Sequence, residues 1–347
     1  MADRTLPVEL VQATVALALQ RGWDVNAMLG RVGFSPLLLA EGRARVTEDQ
    51  LVRLVRELWR ATDDELLGLG SHPLPRGSFR VLMYGVLGSA DLGEALERTQ
   101  SFLQAFPALR VSISTTGDET RIVVDYADAE SDPEHLLAVT ALMVSHRVVA
   151  WGVKHRFELD RVELPFPQPR YREALDTLFA SPLVFGSRSA AIVFDSRMLR
   201  RPIMRDAGEV EAFVAAAPAG LLTRPTYAAT TVAARVRQIV EPATRKGSWP
   251  SADDVAAKLL TSPQTLRRWL AAEGSSYRAV SDEVRRDAAI ASLVRGEEPI
   301  VDLAQRLGFS EASAFTRAFR RWTGSTPGAY RTPVTDPEPA TPDPEHA

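Results

Sequence analysis

A chain of 347 residues, 45% of them hydrophobic, can bury two sizeable cores, so two domains are expected. It has no cysteine, which excludes disulfides and thiolate metal sites, and no apolar run approaches the roughly 20 residues that span a bilayer. The net charge of −3 hides a division: residues 224–331 carry 17 Lys and Arg against 11 Asp and Glu, residues 332–347 carry 4 acids and no Lys or Arg, and residues 1–223 hold the remaining −5. Positive charge is therefore concentrated in one part of the C-terminal half, where an anionic partner would bind.

In chain order, the opening segment sets Asp3 and Glu9 around a short apolar stretch and reads as an amphipathic helix, not a signal peptide. A helix is expected over residues 46–70, capped by Thr47 and burying Leu51, Leu54, Val55 and Leu58. A second follows over residues 92–106. Residues 110–116 and 120–127 then read as a hairpin around Gly117 and Asp118, with a loop slightly longer than the tightest kind. A helix over 133–153, a strand over 156–164, a helix over 170–179 and a strand over 190–194 complete an α+β half in which helices surround a small sheet. Arg200, Arg201 and Arg205 read as a solvated basic turn. The turn-rich run 218–226 marks a linker. The expected division is residues 1–217, the linker 218–226, a helical domain over 227–331, and an acidic, proline-rich tail over 332–347 with the composition of a disordered segment.

The helical part holds two helix-turn-helix-like units in tandem. In the first, Ser251 and Asp254 have capping-box spacing, Val255, Ala256 and Leu259 point inward, and the chain turns near Leu260 and Thr261. Ser262 then caps a helix that begins at Pro263, with Leu266, Trp269 and Leu270 expected in the core and Gln264, Thr265, Arg267 and Arg268 outward. Residues 279–296 read as one amphipathic linker helix with Val280, Val284, Ala288 and Leu293 on its buried stripe. In the second unit Ile300, Leu303, Ala304 and Leu307 recur at helical spacing, and Gly308 supplies the positive φ at the turn. Ser310 or Glu311 caps the next helix, which buries Phe315, Phe319 and Trp322 and leaves Ala312, Ser313, Thr316, Arg317 and Arg320 outward. A small, polar and basic outer face suits a helix that enters the major groove of double-stranded DNA.

The run G-S-S-Y, R-R-x-x-A, I-x-x-L-A-x-x-L-G-F-S and F-x-R-A-F-R-R-W-T-G-x-x-P-x-x-Y-R, ending in Gly324, Pro327, Tyr330 and Arg331, resembles the AraC/XylS family of bacterial transcriptional regulators. The resemblance implies a seven-helix domain whose two recognition helices address successive major-groove segments. One residue departs from it: Leu260 stands where the family usually has glycine, which implies a left-handed leucine or a differently built turn. Stretches of residues 32–70, 77–102 and 182–203 resemble the arabinose-binding-type N-terminal domain of one branch of this family, which implies effector sensing or subunit association without implying that arabinose is the effector.

The function expected is a sequence-specific transcriptional regulator, cytoplasmic and homodimeric, that responds to a small-molecule effector and contacts RNA polymerase if it activates. The alternative is a constitutive dimer whose N-terminal domain only assembles it. Tyr84, His146, Trp151 and Phe166 are candidate pocket residues, set against their reading as ordinary core. No cofactor or metal is implied, and no catalytic residue is nominated. The histidines lack metal-ligand spacing, and HExxH, GxSxG, GxxxxGK[ST] and a strand-linked GxGxxG are missing from the sequence.

Overall fold

The computed structural model describes residues 5–70, 72–106, 109–125, 132, 134–154, 157–222 and 231–331. The expected tail and residues 223–226 of the expected linker lie outside them. The first described element is a strand: β1 (Thr5–Pro7) pairs antiparallel with β2 (Arg45–Thr47), enclosing α1 (Glu9–Gln20), α2 (Val25–Val32) and a 3-10 turn at Pro36–Ala40. Strands of three residues are too short for alternation to be read from sequence.

Thr47 caps α3 (Glu48–Thr62) as expected, in a capping box with Gln50. The helix ends at Thr62, well before residue 70, because Asp63 turns left-handed at φ 49° and the buried Asp64 carboxylate accepts the backbone N–H groups of Leu66, Gly68 and Leu74. Those donors gain from a side chain what a continued helix would have supplied. A short helix, α4 (Ser78–Gly85), precedes α5 (Leu92–Gln104), whose cap is Asp91.

The sheet begins with β3 (Arg110–Thr116) and β4 (Glu119–Asp125). Thr116 pairs with Glu119, so the loop is the two residues Gly117 and Asp118, tighter than expected, and Gly117 meets the turn's demand for positive φ at 61°. Next come α6 (Leu136–Gly152), β5 (Arg161–Leu164), α7 (Arg172–Phe179), β6 (Leu183–Phe185) and β7 (Ala190–Asp195), giving the strand order β3-β4-β7-β5-β6. All pairings are antiparallel except β5 with β6. β7 is central and buried from Ala190 to Phe194, which explains its unbroken apolar run. α6 is buried around most of its circumference and packs on β4 and β7. At its start, Asp132 accepts from the N–H groups of Leu136 and Leu137, both at 2.8 Å. The N-terminal half closes with α8 (Ala207–Ala215) and α9 (Ala219–Leu222), the latter lying against α3 and α6.

The C-terminal half is all helix: α10 (Val232–Val240), α11 (Ala243–Lys246), α12 (Ala252–Lys258), α13 (Pro263–Ala272), α14 (Tyr277–Arg295), α15 (Ile300–Arg306), α16 (Ala312–Thr323) and α17 (Pro327–Tyr330). The chain is therefore an α+β domain followed by an all-α domain with two tandem helix-turn-helix units. The halves are joined where the β1–β2 ribbon lies on α14: Thr5 Oγ1 donates to Asp287 Oδ1 at 2.5 Å, and the Arg45 N–H donates to the Tyr330 hydroxyl at 2.9 Å.

Candidate nucleic-acid interface and effector cavity

The first unit is α12 and α13. Ser251 and Asp254 form the expected capping box, Ser262 caps α13 through the Thr265 N–H, and Pro263 is its first residue. Leu260 makes the turn at φ 53° with its side chain 95% exposed, so the left-handed leucine is what the chain adopts. Gln264, Arg267 and Arg268 are exposed and Thr265 is half-buried, its hydroxyl 2.8 Å from that of Ser262. Trp269, expected in the core, is instead 38% exposed. Leu266 and Leu270 fill the small core with Val236, Val240, Val255 and Val280, and a residue next to Leu270 is turned about 100° from it.

In the second unit, α15 and α16, Gly308 has φ +80°, and a Cβ there would lie 2.9 Å from Trp249 Cδ1, so the glycine answers both a backbone and a packing demand. Glu311 occupies the N-cap position without a side-chain cap bond. Phe315 and Phe319 are fully buried, while Trp322 is half-buried against them. Ser313, Arg317 and Arg320 are exposed. Ala312 and Thr316 are half-buried, and the Thr316 hydroxyl donates to the Ala312 carbonyl at 2.9 Å. A cleft between α14 and α16 adds Arg278 and Arg321 beside Arg317. Sequence periodicity did not single out Arg278, because only the fold brings the start of α14 alongside α16.

One tryptophan joins the units. Trp249 packs on the small core of the first unit and on the main core, which includes Leu303, Phe315 and Phe319 of the second; its Nε1 donates to the Arg306 carbonyl at 3.1 Å, and the Arg285 guanidinium lies 4.1 Å from its ring centroid. With α14 it fixes α13 and α16 relative to each other.

In the N-terminal domain, helices α1, α3, α4, α5, α6 and α9 and strands β3 and β4 line a cavity of about 490 Å³. None of the four nominated pocket residues lines it. Tyr84 is 40% exposed and donates to Glu211 at 2.7 Å, and Trp151 stacks on Phe213 at 4.6 Å, so these two hold α8 in place. The Arg205 guanidinium covers the Trp151 ring and donates to its carbonyl, which removes Arg205 from the solvated turn expected of it. His146 is buried, with Nε2 3.4 Å from the Phe157 carbonyl, and Phe166 is buried and stacked on His135 at 4.1 Å. The cavity went unread because its walls are aliphatic residues, which in a sequence look like any core.

Among the described residues, no cluster of His, Cys, Asp and Glu could hold a metal, and no helix is long and apolar enough to cross a membrane.

Two exposed, basic recognition helices on a shared frame define a DNA-binding transcriptional regulator. Residues 22–203 match the arabinose-binding N-terminal domain of AraC transcription regulators, and residues 255–333 match a helix-turn-helix domain. The chain belongs to the AraC family, in the branch with that N-terminal domain. It is 26% identical over 341 residues to the ornithine utilization regulator of Pseudomonas aeruginosa, covering 94% of this chain and 96% of that protein. An uncharacterized HTH-type transcriptional regulator of Mycobacterium tuberculosis is 25% identical over 335 residues, 93% of this chain and 95% of that one. The crystal structure of the transcriptional regulator CdpR from P. aeruginosa aligns at 24% identity and a TM-score of 0.32, over 89% of this chain and 96% of that one.

Proposed function

We propose that each subunit of this regulator reads one long asymmetric DNA site with both units, a dimer taking two such sites in direct or inverted repeat, and that the N-terminal domain alters the reading when a small molecule binds. The observation that carries the proposal is the pair of recognition helices held by Trp249 and α14. Gln264 and Arg268 on α13, and Ser313, Thr316 and Arg317 on α16, face base edges. Thr265, Arg267, Ala312 and Arg320 complete the contact surface, with Arg267 and Arg320 on phosphates. Thr265, Ala312 and Thr316 are half-buried, so their contacts are close and small. The domains act as residues 1–217 for sensing and assembly, 218–226 for connection and 227–331 for DNA reading. The protein works in the cytoplasm as a homodimer and contacts RNA polymerase when it activates.

Helices fixed in this way should address major-groove segments about 34 Å apart on one face of B-DNA. A site selected from a random duplex pool and mapped by footprinting should span both segments. Inserting five base pairs between them turns one segment to the far side, and affinity should fall at least tenfold. Undiminished binding would mean that only one unit reads DNA.

A further inference from the structure

The cavity of about 490 Å³ falls in the size range of small-molecule sites, roughly 300–1,000 Å³. Its walls are overwhelmingly aliphatic, with Leu17, Leu54, Leu103, Met143 and Leu221 among them. Among the described lining residues the hydroxyls are Thr14, Ser78, Thr99, Thr140 and Ser145. Three of these already donate to carbonyls of their own helices: Thr14 to Leu10, Thr99 to Ala95 and Ser145 to Ala141. The charged lining residues, Glu65, Arg76 and Arg80, fall together around the start of α4. Glu65 is committed there, accepting from the N–H groups of Gly77 at 2.7 Å and Phe79 at 2.6 Å, and Arg80 is paired with Glu211 at 2.9 Å. Arg76 lies over the Trp59 ring, 5.1 Å from its centroid, and among the described residues no carboxylate is within ion-pair distance of it.

A sugar or a diamino acid placed in such walls would give up water at every hydroxyl or ammonium and find few partners in return. We propose that the cavity binds a ligand with a hydrocarbon body and one anionic end, the chemistry of an acyl-chain carboxylate, with the chain among the leucines and the carboxylate at Arg76. This deepens the effector-sensing reading and rests on it. It also says where the ligand would act. Val214, Ala217, Pro218 and Leu221 line the cavity, so its wall includes α9 and the turn before it, the last described segment before the DNA-reading half begins.

The test titrates the full-length protein with hexanoate, octanoate, decanoate and dodecanoate below their micellar concentrations, by calorimetry and by tryptophan fluorescence. Affinity should rise about fourfold per added methylene until the chain fills the cavity. Arabinose and ornithine at millimolar concentration should give neither heat nor quenching. Arg76→Ala, an exposed substitution that leaves the core intact, should weaken decanoate about tenfold and leave decanol unchanged. Ala141→Phe, which fills the space, should abolish both, and the chain-length series stands without it should that variant fold poorly. Absence of a chain-length trend, or binding of arabinose or ornithine in preference, would overturn the proposal. Equal affinity for decanoate, its methyl ester and decanol would overturn the assignment of the anionic end to Arg76. The two readings also fail separately. Decanoate that binds without changing affinity for the selected duplex leaves the site standing and removes its sensory role, whereas a sugar that changes duplex affinity keeps the sensory role and removes this ligand class.

Discussion

Leu260 places a branched side chain in solvent at φ 53°, a conformation that costs an L-residue about 1–2 kcal/mol. No burial offsets that cost. Leu260→Gly should therefore stabilise the protein by about 0.5–1 kcal/mol after the extra freedom of the unfolded glycine is counted, read as a higher denaturation midpoint with unchanged duplex affinity. At Asp287 burial works to raise the carboxyl's pKa, but Arg286, Arg237 and Arg45 outweigh it and hold it below the ordinary aspartate value. A depressed carboxyl stabilises the fold above its unfolded pKa, and that contribution is lost as the pH falls through the folded one. Asp287→Asn leaves Arg237, 2.5 Å away, without its buried partner and should cost about 3–5 kcal/mol by chemical denaturation at neutral pH. Asp132 has the opposite sign. Burial pushes its carboxyl up to about 6, so the folded state holds a proton that the unfolded state releases near pH 4, and stability falls as the pH rises between those values. Asp132→Asn should flatten that part of the stability profile while still accepting a bond at the start of α6.

At the scale of elements, α13 and α16 present arginines whose roles separate by measurement. Arg317→Ala should cost about 1–3 kcal/mol on the preferred site and relax specificity at one or two base pairs. Arg320→Ala should weaken all duplexes alike and reduce the salt slope by about 1. Competition assays at several salt concentrations read both. These helices were legible because capping residues, Pro263, Gly308 and the aromatic spacing of α16 all act locally. Trp269 misled because two leucines suffice for the small core beside α13. The β1–β2 ribbon, the early end of α3 and the apolar cavity depend on partners far along the chain or on a side chain diverting backbone donors, and local periodicity carries no record of either. Tyr84, His146, Trp151 and Phe166 illustrate the same limit: aromatic character marked them, but Tyr84 and Trp151 contact α8, His146 packs beside Phe157 against β7, and Phe166 lies between His135 and Phe185 of β6.

At the scale of the molecule, the route from cavity to DNA has physical parts. α1 and α3 wall the cavity, and each is entered from the ribbon that holds Asp287 and Tyr330. Displacement of either helix would be felt at α14, the helix that spaces the two readers. Arg45 is buried there, and its guanidinium bonds Thr5 at 2.8 Å and Glu173 at 2.6 Å. Arg45→Met should therefore leave effector affinity nearly unchanged while shrinking the effector's influence on duplex affinity, an influence of ordinary size at about 1–3 kcal/mol. Paired titrations with and without ligand measure it. Trp249 has a consequence of another kind. Because one indole packs on the cores of both units, the distance between α13 and α16 is inherited as a single quantity, and under the proposed two-unit reading the genome must keep to it. Regulatory sites for this protein are then free to diverge by base substitution, one weak contact at a time, whereas a small insertion or deletion within a site removes it at a stroke. New members of its regulon would arise from sequences that already have the right length.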